Sequence, residues 1–148
     1  MTMRHVAAAA ASVALMCSQA PAAIAFEANF RGSYICEQMA TTRDILRVPV
    51  RLVVDGKTAR FTRPLLDLDG GRVGTEVARG FVGRRGELRL QSRWSLLGNV
   101  AHGDYRGALT PAGGTLTGTQ TWTGRGGGDP VVRGCTIALV RDATAGRN

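Results

Sequence analysis

Arg47-Val48-Pro49-Val50-Arg51-Leu52-Val53-Val54-Asp55-Gly56 is the stretch that decides the fold. Val48, Val50, Leu52 and Val54 recur at a period of two, the spacing of a strand with one buried side. Asp55-Gly56 follows at once, and both residues tolerate the positive φ that a tight hairpin demands. Residues 57–63 then run back, with Ala59 and Phe61 apolar in phase. The same design extends in both directions. Residues 30–36 form a strand ahead of this hairpin. Residues 73–83, 87–94, 104–110, 115–123 and 131–141 form strands behind it, separated by Gly-rich turns. In residues 87–94, Leu88, Leu90 and Trp94 share one face against Glu87, Arg89, Gln91 and Arg93.

Eight strands joined mostly by short turns, in sequence order, predict an all-β antiparallel meander. Closing it into a barrel places the first strand beside the last and removes both sheet edges. The expected fold is therefore a closed or nearly closed barrel with one disulfide. Residues 37–46 read as a loop or a single helical turn, and residues 125–130 as a flexible loop.

Residues 1–25 read as an export signal. Arg4 supplies the positive start, residues 6–17 an Ala-rich apolar run, and Ala23-Ile24-Ala25 the small-x-small cleavage pattern. The apolar run is shorter than the roughly 20 residues a spanning helix needs, which disfavours an uncut anchor. Cys17 follows Ala14-Leu15-Met16, and Met beside the cysteine is a poor fit to a lipidation box. The expectation is a single domain over residues 26–148, periplasmic or secreted, with no transmembrane segment.

Two cysteines then remain, Cys36 in the first predicted strand and Cys135 in the last. In an oxidising compartment they are expected to pair. Ring closure makes their strands neighbours and brings the thiols within disulfide range. In a sandwich the same pair would instead join across an edge or between sheets. No Cys-x-x-Cys spacing points to redox chemistry.

The chain carries a formal net charge of +8, with Lys57 its one lysine. Such a balance suits acidic partners. The arginines are dispersed, however, with no run beyond Arg84-Arg85, and read first as solvated charge along strands. Nucleic acid is not an expected partner, because export removes the opportunity and few aromatic side chains are available for stacking.

Residues able to carry chemistry are few. His102 is the one histidine beyond the signal and reads as an exposed loop residue. It has no Gly-x-Ser-x-Gly setting to serve and no second histidine for a zinc site. Asp67-Leu68-Asp69-Gly70-Gly71 lacks the later ligands of a calcium loop, and reads as a wide turn. Glu76 and Glu87 flank a predicted turn and are the basis for a less favoured reading as a carboxylate-dependent hydrolase. Thr115, Thr117, Thr119, Thr121 and Thr123 alternate as β-branched residues do in strands. The opposite face holds Leu116, Gly118, Gln120 and Trp122. An amide among inward apolar residues needs partners. Trp94, Tyr105, Gln120 and Trp122 are therefore the candidate ligand-binding residues at a barrel mouth. Small eight-stranded barrels also fill their interiors with side chains. No catalytic residue, metal site or cofactor is expected.

Phe30-Arg31-Gly32-Ser33-Tyr34, Cys36, Leu116-Thr117-Gly118-Thr119 and the closing stretch from Arg133 through Cys135 to Arg141 are similar in layout to small exported alphaproteobacterial β-proteins. That resemblance implies an eight-stranded fold and carries no activity. The outline also resembles lipocalin- and avidin-like barrels, with Tyr34 where those have Trp and Arg141 in the place of their late-strand arginine. Tyr34-Ile35-Cys36 resembles the start of periplasmic lysozyme inhibitors, although their Ser-Gly-x-x-Tyr loop is missing. The expected function is non-enzymatic binding of an envelope ligand or partner protein. The partner would be a small apolar ligand, an anionic envelope component or a periplasmic protein. The alternative is a structural envelope protein that acts through its basic surface.

Overall fold

The computed structural model describes residues 27–39 and 45–144. The expected signal, Cys17 and residues 40–44 lie outside these. Among the described residues there is no helix. The eight strands are β1 (Ala28–Cys36), β2 (Leu46–Asp55), β3 (Thr58–Leu66), β4 (Arg72–Val82), β5 (Glu87–Leu96), β6 (Asn99–Thr110), β7 (Gly113–Thr123) and β8 (Val131–Arg141). Each pairs antiparallel with its successor, and β8 pairs with β1, so the meander closes into a barrel. Cys36 and Cys135 are register partners at one end of the β1–β8 ladder and form a disulfide, with Cα atoms 4.0 Å apart.

The alternation places most apolar residues inside and most charged residues outside, the reverse of a membrane-spanning barrel. Val48, Val50, Leu52 and Val54 are buried, as are Leu88, Leu90 and Trp94. Gly56 takes a positive φ of 58° in the β2–β3 turn, as the Asp55-Gly56 signal requires.

Three departures from the sequence reading have local causes. The β5–β6 connection is a two-residue turn with Leu97 at φ 50° and Gly98 at φ 81°. Leucine is a poor residue for that conformation, so the turn carries little sequence signal. As a consequence β6 begins at Asn99, and His102 lies exposed on a strand's outer face rather than in a loop. Finally, β3 continues through Pro64 to Leu66. Its ladder with β2 stops at Arg51 and Thr62. One more step would bring Val50 to Arg63, and the next would oppose Pro49 to Pro64, two residues with no N–H to give. The β4–β5 ladder likewise stops at Ala78 and Ser92. The far part of the β3–β4 hairpin is thus laced internally, through Pro64–Thr75 and Leu66–Arg72, but to neither neighbour.

The two barrel ends differ. Short turns close one end, where Phe30, Leu52, Val82, Leu109 and Leu139 belong to the main apolar cluster. The β1–β2, β3–β4 and β7–β8 connections all lie at the other end. Leu65, Trp94 and Ala101 form a separate cluster there, with Leu96 and Trp122 packed on it.

Candidate functional site

Between the two apolar clusters lies a layer of polar side chains facing the barrel axis. It begins at three rings. Tyr34 and Tyr105 meet edge to face at 5.8 Å, and Phe61 lies 6.1 Å from Tyr34. Gly103 makes this possible: a Cβ there would sit 2.4 Å from the Tyr105 hydroxyl and 2.5 Å from Ser92 Oγ. Above the rings come Arg63 from β3, Glu76 from β4, Ser92 from β5, Gln120 from β7 and Arg133 from β8. Arg63, Glu76, Gln120 and Arg133 are the buried polar or charged residues among those described.

The Arg63 guanidinium forms an ion pair with Glu76. It also lies 4.5 Å over the Tyr34 ring and 5.4 Å over the Trp94 ring. These are cation–π distances. Glu76 Oε1 accepts from Ser92 Oγ at 2.5 Å and from the Tyr105 hydroxyl at 3.0 Å. Tyr105 has one proton, which it gives to the carboxylate. The Tyr34 hydroxyl lies 3.0 Å from the Tyr105 hydroxyl and 3.2 Å from Cys135 Sγ, and its single proton serves one of these two contacts at a time. One chain of polar contacts links the disulfide to the buried ion pair.

A second group sits across the layer. Gln120 Oε1 accepts from Arg133 Nε at 2.7 Å and from Trp122 Nε1 at 3.3 Å. Two N–H donors converging on one amide atom fix it as the oxygen, so Gln120 Nε2 points elsewhere. Among the described residues it has no partner, and neither does Trp94 Nε1. Arg133 makes no ion pair among the described residues, and burial lowers its pKa. Two guanidiniums and one carboxylate leave the layer with one excess positive charge. Trp94 and Trp122, edge to face at 5.7 Å, lie toward the loop-bearing end. No protein-family signature and no curated protein sequence matches the chain.

The four candidate residues from the sequence are brought to one half of the interior but not to one surface. Gln120 and Trp122 touch, Trp94 packs on Trp122, and Tyr105 lies deeper, against Glu76 and Tyr34. Glu76 and Glu87 do not form a pair: Glu76 faces inward, whereas exposed Glu87 accepts from the Arg85 backbone N–H at the far end. Asp67 organises its own turn, accepting from the backbone of Asp69 and Gly71, as the wide-turn reading expects. Arg141 does not cover Tyr34; it pairs in register with Phe30, and Arg63 takes that position over the ring. Two grooves mark the outer wall, one over the disulfide beside Ile35 and Thr136, the other between Arg93, His102 and Thr121.

Sequence reasoning missed Arg63 and Arg133 as site residues, and singled out Glu76 only as a partner of Glu87. The available signal was phase: Arg63 shares the inward phase of Phe61 and Leu65, Glu76 that of Ala78, and Arg133 that of Cys135 and Ile137. A charged residue on an otherwise apolar strand face marks a buried polar site.

The chain has two tyrosines, and both lie in this layer. Burial, the largest effect, pushes the Tyr34 hydroxyl up to about 12. Burial and then the Glu76 charge push Tyr105 higher still. The neutral forms are favoured in the folded state, so their contribution to stability is complete below the free tyrosine pKa of about 10. It is lost as pH rises toward the folded values. An ultraviolet titration is expected to show no tyrosinate near pH 10, with both signals appearing together on alkaline unfolding. Half the signal titrating near 10 would contradict the burial of one ring.

Proposed function

We propose that this protein is a non-enzymatic binding protein of the cell envelope that takes a small ligand bearing an acid group at the loop-bearing end of its barrel. The observation that carries this reading is the unpaired donor set. Among the described residues Gln120 Nε2 and Trp94 Nε1 are buried without acceptors, and Arg133 has no carboxylate partner. An unmatched buried donor costs about 1–3 kcal/mol, and an uncompensated buried charge more. A carboxylate or similar acceptor entering beside them removes both costs. The two indoles and Leu65 supply apolar contact for the rest of the ligand. Access requires the tryptophans to separate, and the β3–β4 hairpin beside them is laced to neither neighbour. The compartment is part of the same reading: a disulfide persists where conditions are oxidising, and residues 1–25 have the pattern of an export signal. No helix among the described residues is long and apolar enough to cross a membrane.

Both tryptophans of the chain lie at the site, so intrinsic fluorescence reports on it. Protein purified from the extracytoplasmic fraction of the cells that make it is expected to carry a small acid in native mass spectrometry. Titrating that compound into stripped protein should shift the tryptophan emission. Arg133→Met should weaken binding about tenfold or more, the effect of losing a hydrogen bond to a charged group. A chain that carries no added mass, and whose fluorescence no small acid alters, would reject the reading.

A further inference from the structure

The outer wall of the barrel gathers arginines that are far apart in sequence. Arg31 on β1 is the register partner of Arg51 on β2. Arg60 on β3 is the partner of Arg79 on β4, and Arg89 on β5 of Arg106 on β6. The three pairs are joined by diagonals. Val53 opposes Arg60, which makes Arg51 and Arg60 neighbours. Phe81 opposes Arg89, which makes Arg79 and Arg89 neighbours. All six are exposed. The result is an unbroken row with one arginine on each of six consecutive strands.

Like charges placed directly opposite one another destabilise a sheet, and the row contains three such pairs. Among the described residues only its β5–β6 end carries ion pairs. Asp104 pairs with Arg89 at 3.0 Å and with Arg106 at 3.4 Å. Burial, the largest single influence, raises the Asp104 pKa, but hydrogen bonds from Arg89, Arg106 and Gln91 together outweigh it and lower the value. Arg31, Arg51, Arg60 and Arg79 make no ion pair among the described residues. Asp55 lies diagonal to Arg60 at the hairpin end of β2 without pairing with it. Asp142 lies toward Arg31 and Arg51, but its carboxylate is engaged by Thr144.

Geometry selects the partner. The row crosses inter-strand steps of about 4.8 Å each and follows the curve of the wall. A flat bilayer meets a cylinder along a line and engages only part of such a row. A flexible chain can follow all of it. The inter-strand step is close to the length of one sugar unit, and guanidinium binds carboxylate and other oxyanions through paired hydrogen bonds. We propose that the six-arginine row is a binding track for a linear acidic polysaccharide. It lies on the outer wall and is independent of the site inside the barrel.

The test uses the full chain with two probes, heparin for sulfated and polygalacturonate for carboxylated polysaccharide. At least one is expected to bind, with affinity falling about tenfold or more as salt rises from about 0.05 M to about 0.2 M. The triple substitution Arg51→Gln, Arg60→Gln, Arg79→Gln should weaken binding about tenfold or more. An equal change of charge off the row, Arg84→Gln, Arg85→Gln, Arg125→Gln, should weaken it less than about threefold, and this contrast separates a track from net charge. The row variant loses like-charge neighbours and is expected to melt no lower than the parent. Should it fail to fold, Arg60→Gln alone replaces it, with an expected loss of about threefold against no loss for Arg84→Gln. Equal weakening by on-row and off-row changes overturns the proposal. So does binding of neither probe, or tighter binding to anionic phospholipid vesicles than to either.

Discussion

Glu76→Ala is expected to lower the stability of the barrel by about 3–5 kcal/mol, the range for breaking a buried ion pair by removing one partner. Glu76 is fully buried on β4, and its two oxygens do different work. One faces the Arg63 guanidinium, and the other accepts from Ser92 and Tyr105. Truncation leaves Arg63 charged, because a guanidinium does not deprotonate in a protein. It also leaves two hydroxyls without an acceptor. The aromatic faces of Tyr34 and Trp94 offset only part of this, since cation–π contacts contribute about 0.5–2 kcal/mol. Domains of this size have total stabilities of roughly 5–15 kcal/mol, so the loss should be plain in denaturant unfolding. A double substitution separates the charge from the packing. Arg63→Met with Glu76→Leu removes both ions and keeps apolar volume, and should recover most of the loss. A cost below about 1 kcal/mol for Glu76→Ala would mean that water reaches the pair and that the layer is not dry.

The same residues show where sequence reading succeeds and where it stops. β2 is legible because its apolar phase is unbroken from Val48 to Val54, and β5 and β8 because enough of theirs is apolar: Leu88, Leu90 and Trp94 around Ser92, and Cys135, Ile137 and Leu139 after Arg133. Ring closure follows from strand order, and the disulfide follows from ring closure. The interior polar layer is harder, because an apolar phase reads as ended where a charge intervenes. On β3 the apolar phase breaks at Arg63 and Pro64 follows, so the strand reads as finished, although Leu65 is again inward and buried. The first half of β6 is obscure for a related reason. Its inward positions are Ala101 and Gly103, kept small because Trp94, Ser92 and the Tyr105 ring occupy the space beside them. The arginine row is invisible in one dimension. Its members are ordinary exposed strand residues until the register aligns them, and register depends on every turn length between them.

Removing the disulfide is expected to have the other large effect. Cys36→Ala with Cys135→Ala opens a loop with a sequence separation of 99. Chain entropy assigns about 4.7 kcal/mol to a cross-link of that length, and measured losses on removing native disulfides from small exported domains run about 2–5 kcal/mol. The location argues for the upper part of that range. β1–β8 is the seam that converts a sheet with two free edges into a ring, and its ladder runs from Phe30–Arg141 to Cys36–Cys135. The cross-link holds this seam at the end that carries the polar layer. Cys135 Sγ also lies 3.2 Å from the Tyr34 hydroxyl, which contacts Tyr105 and through it Glu76. Losing the bond should therefore loosen the interior network as well as the seam. Urea unfolding of the double variant should show the midpoint falling. Native-state hydrogen exchange should quicken first in β1 and β8, because an opened seam exposes strand-edge amides before the rest of the sheet. Alkylation of the unreduced parent protein should find neither Cys36 nor Cys135 free. An unchanged midpoint in the double variant would show that the seam holds through its ladder and packing alone.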